Sequence, residues 1–271
     1  MITHLYDLPY SSDGDDVRKI DIFLPGEHAN GCAIFFIHGG GWQASGRGAW
    51  HAVMEHFCAR GYVCGSPGYH FAPEWRFPTQ VEDVRLAMSY FKTRAAEFGF
   101  APDKVAVWGS SAGGHLAAML ATIQPEDDLG MTPETARRDT LPQAAVCYCT
   151  VFSCQNYTEE DDIPAMMLAF LGATPDENPE LIRQASPIDR VIGKEPPFLM
   201  ITGDADLTTP IWLHEAMRDT LQRQGIPAEI TVLPGVGHGY GYGVTTEAQQ
   251  AAITAAEEFL ARVFSLSPVG G

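Results

Sequence analysis

Basic residues are scarce in this sequence. Only 17 Lys and Arg stand against 34 Asp and Glu among 271 residues, which gives a formal net charge of −17. Nucleic acids and anionic membranes are bound through basic surfaces, so this charge balance argues against both as partners. The simplest explanation for the excess of acidic residues is that the negative charge keeps the protein in solution. The hydrophobic content of 45% is that of a globular chain and excludes a mainly disordered one.

Long apolar runs and cysteines are also few. The longest uninterrupted apolar run, 165–171, has seven residues, whereas a membrane-spanning helix needs about 20. Residues 1–7 lack the basic stretch and apolar core of a secretion signal, so we expect a cytoplasmic protein. Six cysteines are too few for a disulfide scaffold. Cys147, Cys149 and Cys154 have no neighbouring His or Cys pair at zinc spacing, so we interpret them as core thiols and expect no metal.

Short β-branched or aromatic runs alternate with helix-length segments along the chain. This pattern predicts one α/β domain over 1–271, with a mainly parallel central sheet and helices on both faces. The expected strands cover 19–24, 32–37, 62–64, 104–108, 143–149, 197–202 and 229–233, and the expected helices cover 49–60, 79–98, 112–123, 209–224 and 245–264. A long mixed segment at about 151–190 interrupts the alternation, and we predict a small lid-like insertion there.

A Gly-x-Ser-x-Gly motif occupies residues 109–113, between an expected strand and an expected helix. This position is typical of a nucleophile elbow, a tight turn in which the two glycines leave room and the middle serine projects its hydroxyl. Ser111 is therefore the candidate nucleophile, and it lies beside the positive end of a helix.

A serine hydroxyl needs a base that is itself oriented by an acid. Asp206 and His238 follow the last two expected strands, at the carboxyl edge where open parallel sheets place their sites. The order serine, acid, histidine is the one that accompanies this elbow. Asp204 is the alternative acid, although an aspartate at that position more naturally shapes the turn.

Three consecutive glycines lie in the segment His-Gly-Gly-Gly-Trp at 38–42, directly after a fully apolar expected strand. A serine attack on a carbonyl places negative charge on its oxygen, which fixed backbone N–H donors must stabilise. We assign that role to the amides of Gly40 and Gly41, together with Ala112 of the elbow. Trp42 is predicted to border the substrate pocket.

With these elements in order, the chain resembles the α/β-hydrolase superfamily, on the side of the hormone-sensitive-lipase-like carboxylesterases. More locally it is similar to small bacterial esterases grouped with acetyl-xylan and feruloyl esterases, and to kynurenine formamidases. The resemblance spans about 18–264 and rests on segments at 38–42, 72–78, 108–117, 185–188, 196–206 and 234–239. The chain departs from the family at 69–71, where Tyr-His-Phe replaces the common Tyr-Arg-Leu.

The resemblance implies an α/β-hydrolase fold and a serine carboxylesterase that uses no cofactor. The implied partner is a small ester with a short acyl group, such as an acetylated or feruloylated sugar. The insertion is expected to supply substrate contacts from Phe152, Tyr157 and Met166, with plain helix packing as the alternative for Met166.

Two other functions stay open at this point. An arylformamidase acting on N-formylkynurenine would use the same three residues, whereas a binding protein on this fold usually lacks one of them. The oligomeric state is also open, and a homodimer is one option.

Overall fold

A central sheet organises the computed structural model, which describes residues 1–136, 138–155 and 163–266. Its strands are β1 Thr3–Pro9, β2 Lys19–Leu24, β3 Ala33–Ile37, β4 Val63–Pro67, β5 Val105–Ser110, β6 Ala144–Tyr148, β7 Phe198–Gly203 and β8 Ala228–Leu233. They lie in the order β1-β2-β4-β3-β5-β6-β7-β8. Only the β1–β2 and β2–β4 neighbours pair antiparallel. The predicted mainly parallel α/β sheet is confirmed.

Helices cover both faces of this sheet. They are α1 His51–Cys58, α2 Thr79–Thr93, α3 Ala95–Phe98, α4 Ala112–Thr122, α5 Ile163–Leu171, α6 Pro179–Gln184, α7 Ile211–Arg223 and α8 Glu247–Phe264. Successive strand residues point to opposite faces, so Phe35 joins the core cluster of α2, α4 and α7, and Phe36 joins that of α1 and α8. Each such fully buried side chain stabilises the fold by about 1.5–3 kcal/mol. None of the described helices combines the length and hydropathy needed to cross a membrane.

Most predicted boundaries agree with the structure to within two residues. The predicted helix 79–98 is wrong in one respect, because it is interrupted at Arg94, where the backbone leaves helical geometry. The predicted strand 62–64 is too short, since β4 continues to Pro67 in antiparallel pairing with β2.

The strand β1 was not expected from the sequence. It lies at the sheet edge and is largely exposed, so it lacks the buried alternation that marks an inner strand. Its pairing with β2 shifts register between Leu5 and Leu8, and these two partly buried side chains pack on the same core cluster. A bulge of this kind breaks the period of two that identifies strands.

The segment 151–190 contains α5 and α6 in its described part. Asn178 begins α6 by accepting a hydrogen bond from the Leu181 amide, and Pro179 occupies the first turn. Phe170 and Ile182 are buried in the same core cluster as the parallel strands. The amide of Phe77 donates to the Phe170 carbonyl at 2.9 Å. The described part of the insertion therefore packs directly on the sheet domain.

Candidate active site

The turn between β5 and α4 presents Ser111 at the carboxyl end of the parallel strands. Its backbone has φ 55° and ψ −123°, an uncommon conformation for a residue with a side chain that costs about 1–3 kcal/mol. A Cβ on Gly109 would overlap the Gly113 carbonyl, and one on Gly113 would overlap the Ile37 and His38 carbonyls. Both motif glycines are thus required by close backbone packing, and that packing holds the serine in its strained conformation.

Two residues far along the chain meet this serine. The Ser111 hydroxyl lies 2.9 Å from Nε2 of His238, and Nδ1 of His238 lies 2.9 Å from Oδ2 of Asp206. Asp206 follows β7 and His238 follows β8, so neighbouring strands deliver both groups to one edge. The structure therefore places Asp206 in the position predicted for the acid. Asp204 instead accepts from the Gly235 amide at 2.6 Å and shapes the turn.

The Asp206 carboxylate is held by donors besides the histidine. The amides of Thr208 and Thr209 donate to Oδ1 at 2.9 and 2.8 Å, and the Thr209 hydroxyl donates to Oδ2 at 2.8 Å. Burial opposes ionisation, but the hydrogen bonds from His238 and Thr209 outweigh it and lower the pKa of Asp206. Sequence reasoning missed Thr208 and Thr209. Their spacing two and three residues after an aspartate is the signal of an Asx-type turn.

His238 is a stronger base here than a free imidazole. Burial disfavours its charged form, but the hydrogen bond to Asp206 and the negative charge of that carboxylate outweigh this effect and raise the pKa of His238. The side chain is about a quarter exposed, with 24% of its surface accessible. Gly237 and Gly239 flank it in the loop that carries the ring to the serine.

The glycine loop after β3 adopts a conformation that requires glycine. Gly40 and Gly41 have φ 105° and 61°, and Trp42 continues the left-handed run with φ 59°. Among the described residues, the Gly40 and Gly41 amides donate no hydrogen bond. Both residues border the same cavity as Ala112, at the start of α4. This arrangement leaves backbone donors free to bind a negatively charged oxygen.

Neighbouring side chains brace the glycine loop. The Gly39 amide donates to the Tyr242 hydroxyl oxygen at 2.5 Å, and the Tyr69 hydroxyl donates to the His38 carbonyl at 2.8 Å. The His38 ring stacks on Tyr69, and burial lowers the pKa of His38 to about 4, so this imidazole stays neutral. His38 thus braces the glycine loop and takes no part in proton transfer. Tyr242 was not foreseen, because nothing local marks a tyrosine 203 residues away as a loop anchor.

A cavity of about 520 Å³ opens over the serine. Ser111, His238, Gly40, Gly41, Ala112, Met166, Leu207, Thr208 and Tyr242 are among its lining residues. Met166 therefore borders the site as predicted from the insertion. Leu207 is 85% exposed at the rim and offers an apolar surface to a ligand.

The other three predicted pocket residues have three different outcomes. Phe152 is fully buried and packs edge-on against His214, so its assignment to the pocket is wrong. Trp42 borders the cavity, but its ring is only 2% exposed and stacks on Phe170 at 4.3 Å. Its indole N–H donates to Nδ1 of buried His115 at 3.3 Å, which anchors the glycine loop. Tyr157 lies outside the described residues.

Cys149 also lies at this site, although the sequence predicted only a core thiol at this position. It is buried, like the other five cysteines, and none of the six forms a disulfide within the described chain. Its Sγ lies 3.5 Å from the Ser110 hydroxyl oxygen. Ligand atoms of Cys149, Asp206 and His238 all lie within 4.8 Å of one another.

Comparisons with known proteins give a consistent assignment. The BD-FAE family model matches residues 20–221. Two Mycobacterium tuberculosis proteins are similar: "Probable carboxylic ester hydrolase LipM", 30% identical over 98% of this chain and 63% of its own, and "Esterase LipQ", 28% identical over 95% and 62%. The chain thus spans less than two thirds of the length of these curated relatives.

Solved structures share the fold over nearly the whole chain. Thermogutta terrifontis esterase 2 phosphonylated by sarin superposes with a TM-score of 0.80 at 25% identity, covering 97% of this chain and 96% of its own. A truncated carbohydrate esterase from gut microbiota gives a TM-score of 0.82 at 24% identity, with the same coverage of 97% and 96%. The second likeness supports the α/β-hydrolase fold alone.

Proposed function

The chain belongs to the BD-FAE family, and from that premise we propose that it is a serine carboxylesterase acting on small esters with short acyl groups. The observation that carries this proposal is the chain of two 2.9 Å contacts from Ser111 through His238 to Asp206. The sarin-phosphonylated Thermogutta esterase supports it, because phosphonylating agents attack activated serine hydroxyls.

In the first half-reaction, Ser111 Oγ attacks the ester carbonyl carbon while its proton passes to Nε2 of His238. Asp206 holds the Nδ1–H and stabilises the imidazolium that forms. The carbonyl oxygen becomes an oxyanion and accepts hydrogen bonds from the amides of Gly40, Gly41 and Ala112. Donors of this kind are each worth about 3–4 kcal/mol of the barrier. When the tetrahedral intermediate collapses, the C–O bond breaks and the imidazolium protonates the departing alcohol.

The second half-reaction returns the enzyme to its starting state. His238 removes a proton from a water molecule, which attacks the acyl carbon bound to Ser111 Oγ. The same amides stabilise the second oxyanion, and the imidazolium then protonates Ser111 Oγ as the acid leaves. Every proton taken by His238 is returned, so the cycle balances.

At a finer level, we propose acetylated or feruloylated sugars among the substrates. The motif segments that resemble acetyl-xylan and feruloyl esterases support this, and so does an open cavity of about 520 Å³ with apolar walls at Met166 and Leu207. The arylformamidase alternative has gained no supporting observation, and N-formylkynurenine serves as one member of the substrate panel.

The test is a hydrolysis panel of p-nitrophenyl esters, an acetylated xylo-oligosaccharide, methyl ferulate and N-formylkynurenine. We expect the short p-nitrophenyl esters to be hydrolysed and Ser111→Ala to lose at least about 10³-fold in turnover while still folding. Ser110→Ala is the matched control, since it removes the neighbouring hydroxyl and should lose far less. Full turnover by Ser111→Ala, or an unmodified parent after fluorophosphonate treatment, would refute the proposal.

A further inference from the structure

Cys149 lies against the acid-base pair but has no part in the ester mechanism. Strand β6 ends at Tyr148. The next residue, Cys149, has φ 36°, an unusual conformation that changes the direction of the backbone at the end of the strand. Its thiol is fully buried beside the Ser110 hydroxyl. The Sγ, a carboxylate oxygen of Asp206 and a ring nitrogen of His238 lie within 4.8 Å of one another. Three different ligand types thus converge on one point.

We propose that Cys149, Asp206 and His238 form an inhibitory site for a thiophilic divalent cation, with Zn²⁺ as the type case. Thiolate, imidazole and carboxylate are the three kinds of side chain that bind zinc in proteins. Mg²⁺ and Ca²⁺ instead require six or more oxygen ligands, and a site with one thiol and one imidazole discriminates against them. A water molecule completes a tetrahedral set.

The ligand atoms must shift to hold an ion. Bond lengths of about 2.0–2.3 Å place the ligand atoms of a tetrahedral zinc roughly 3.3–3.6 Å apart. Separations near the 4.8 Å limit therefore have to contract by about 1 Å, and the 2.9 Å distance between His238 Nδ1 and Asp206 Oδ2 has to open if Nδ1 binds. His238 is the group free to move, because it is the most exposed of the three. Gly237 and Gly239 flank it, and a Cβ built on either would meet almost nothing within 4 Å.

Occupation of the site blocks catalysis whichever ring nitrogen binds. A cation on Nδ1 displaces the proton that Asp206 accepts and breaks the 2.9 Å contact that orients the ring. A cation on Nε2 uses the lone pair that would take the Ser111 proton. The thiol loses its proton to solvent on binding, and in the first case the imidazole proton moves from Nδ1 to Nε2, where it occupies the lone pair that the serine needs. The ion therefore acts by removing the general base.

The first measurement is inhibition of ester hydrolysis by Zn²⁺, Cd²⁺ and Mg²⁺, with EDTA added afterwards to restore activity. Each variant is normalised to its own metal-free rate. We expect the parent to be inhibited by Zn²⁺ and Cd²⁺ but not by Mg²⁺, and Cys149→Ala to require at least about tenfold more Zn²⁺. Cys149→Ser provides a second variant if the alanine form folds poorly. Cys147→Ala is the matched control, because Cys147 is buried two residues earlier and contacts the Gly114 carbonyl instead.

The second measurement does not depend on ester hydrolysis. Co²⁺ replaces zinc, and its bond to a thiolate gives a charge-transfer absorption in the near ultraviolet. We expect this band in the parent, in Cys147→Ala and in Ser111→Ala, and its loss in Cys149→Ala. Equal Zn²⁺ sensitivity of the parent and both Cys149 variants, or no thiolate band in the parent, would overturn the proposal. A Co²⁺ band in a protein that hydrolyses no ester would refute the proposed function alone.

Discussion

At the scale of single residues, Tyr242 connects the loop that carries His238 with the glycine loop, and the mechanism needs these two loops at a fixed distance. It lies four residues after His238, and its hydroxyl oxygen accepts the Gly39 amide beside the oxyanion donors. Removing that acceptor in Tyr242→Phe leaves an N–H group unpaired in a half-buried loop, which costs about 1–3 kcal/mol. We predict that kcat for p-nitrophenyl acetate falls about tenfold while KM changes little, since the donors matter most in the transition state.

The same loop offers a matched control for this substitution. Tyr240→Phe deletes the same atom two residues away, from a buried hydroxyl that has no hydrogen-bond partner within the described chain. We expect near-parental kinetics from Tyr240→Phe. Equal losses in the two variants, or a loss confined to KM in Tyr242→Phe, would show that Tyr242 does not position the oxyanion loop.

The raised pKa of His238 makes a prediction about pH. A protonated imidazole cannot take the Ser111 proton, so kcat/KM falls as pH drops below the pKa of His238. In Asp206→Asn the partner that raises this pKa loses its charge, so the acidic limb should move to lower pH. The maximal rate should also fall roughly 10³–10⁴-fold, as expected when the orienting acid is lost. Buried His115 and His214, whose pKa values burial lowers to about 4, stay neutral across this range.

The control for the pH experiment is Asp204→Asn, the same substitution two residues earlier. Asp204 contacts the Gly235 amide and not the histidine. Its pH profile of kcat/KM should therefore match that of the parent. An acidic limb of Asp206→Asn that stays in place or moves to higher pH contradicts the assignment of Asp206 as the partner that raises the pKa.

The functional residues that could be predicted from the sequence are those that belong to a local motif. Ser111 lies between glycines in a strand-to-helix setting, and Gly40 and Gly41 follow a buried strand, so spacing alone identifies them. Tyr242 and Cys149 depend instead on which atoms the fold brings together across long stretches of chain. A tyrosine or cysteine at such a position looks like any other core residue until the register of β5, β6 and β8 is known.

At the scale of elements, helix α5 forms one wall of the active-site cavity. Met166 lines the cavity, and its Sδ would lie 2.6 Å from a Cβ on Gly41, so the side chain packs directly over the oxyanion loop. Met166→Ala opens space on that side. We predict that kcat/KM for p-nitrophenyl octanoate rises relative to that for the acetate, by about threefold or more, because even one added methylene in an apolar pocket is worth about 1–3 kcal/mol.

Leu168 provides the comparison on the same helix. It is 46% exposed and does not border the cavity, so Leu168→Ala should leave the octanoate-to-acetate ratio unchanged. A ratio that shifts equally in both variants would indicate general loosening of α5. In that case Met166 would not limit acyl length.

Strands that are buried along their whole length could be predicted from the sequence. Strands that are exposed, and side chains whose position depends on long-range packing, could not. The inner strands β3, β5, β6 and β7 are buried along their whole length and appear as apolar runs. The edge strand β1 is mostly exposed and bulged, so its sequence shows no alternation. In the insertion, Phe152 sits among aromatic and apolar residues that suit a pocket or a core equally well, and the tertiary packing put it in the core.

At the scale of the whole molecule, the charge balance governs how stability responds to salt. Like charges repel on average in a chain with a net charge of −17. Raising NaCl from 10 to 150 mM shortens the screening length from about 30 Å to about 8 Å and so weakens this repulsion. The ion pairs of Arg18 with Asp13, Glu82 and Asp83 lose some attraction as well, but Asp83 is fully buried and is screened less.

We therefore predict that the thermal unfolding midpoint at neutral pH rises by a few degrees over this salt range, since about 1 kcal/mol corresponds to roughly 2–4 °C for a domain of this size. The control is the same series near the sequence pI of about 4.8, where the net charge approaches zero and screening has little repulsion to remove. There the midpoint should stay level or fall, because only the attractive pairs remain to be weakened. A midpoint that falls with NaCl at neutral pH would mean that attractive pairs outweigh the excess of 34 acidic over 17 basic residues.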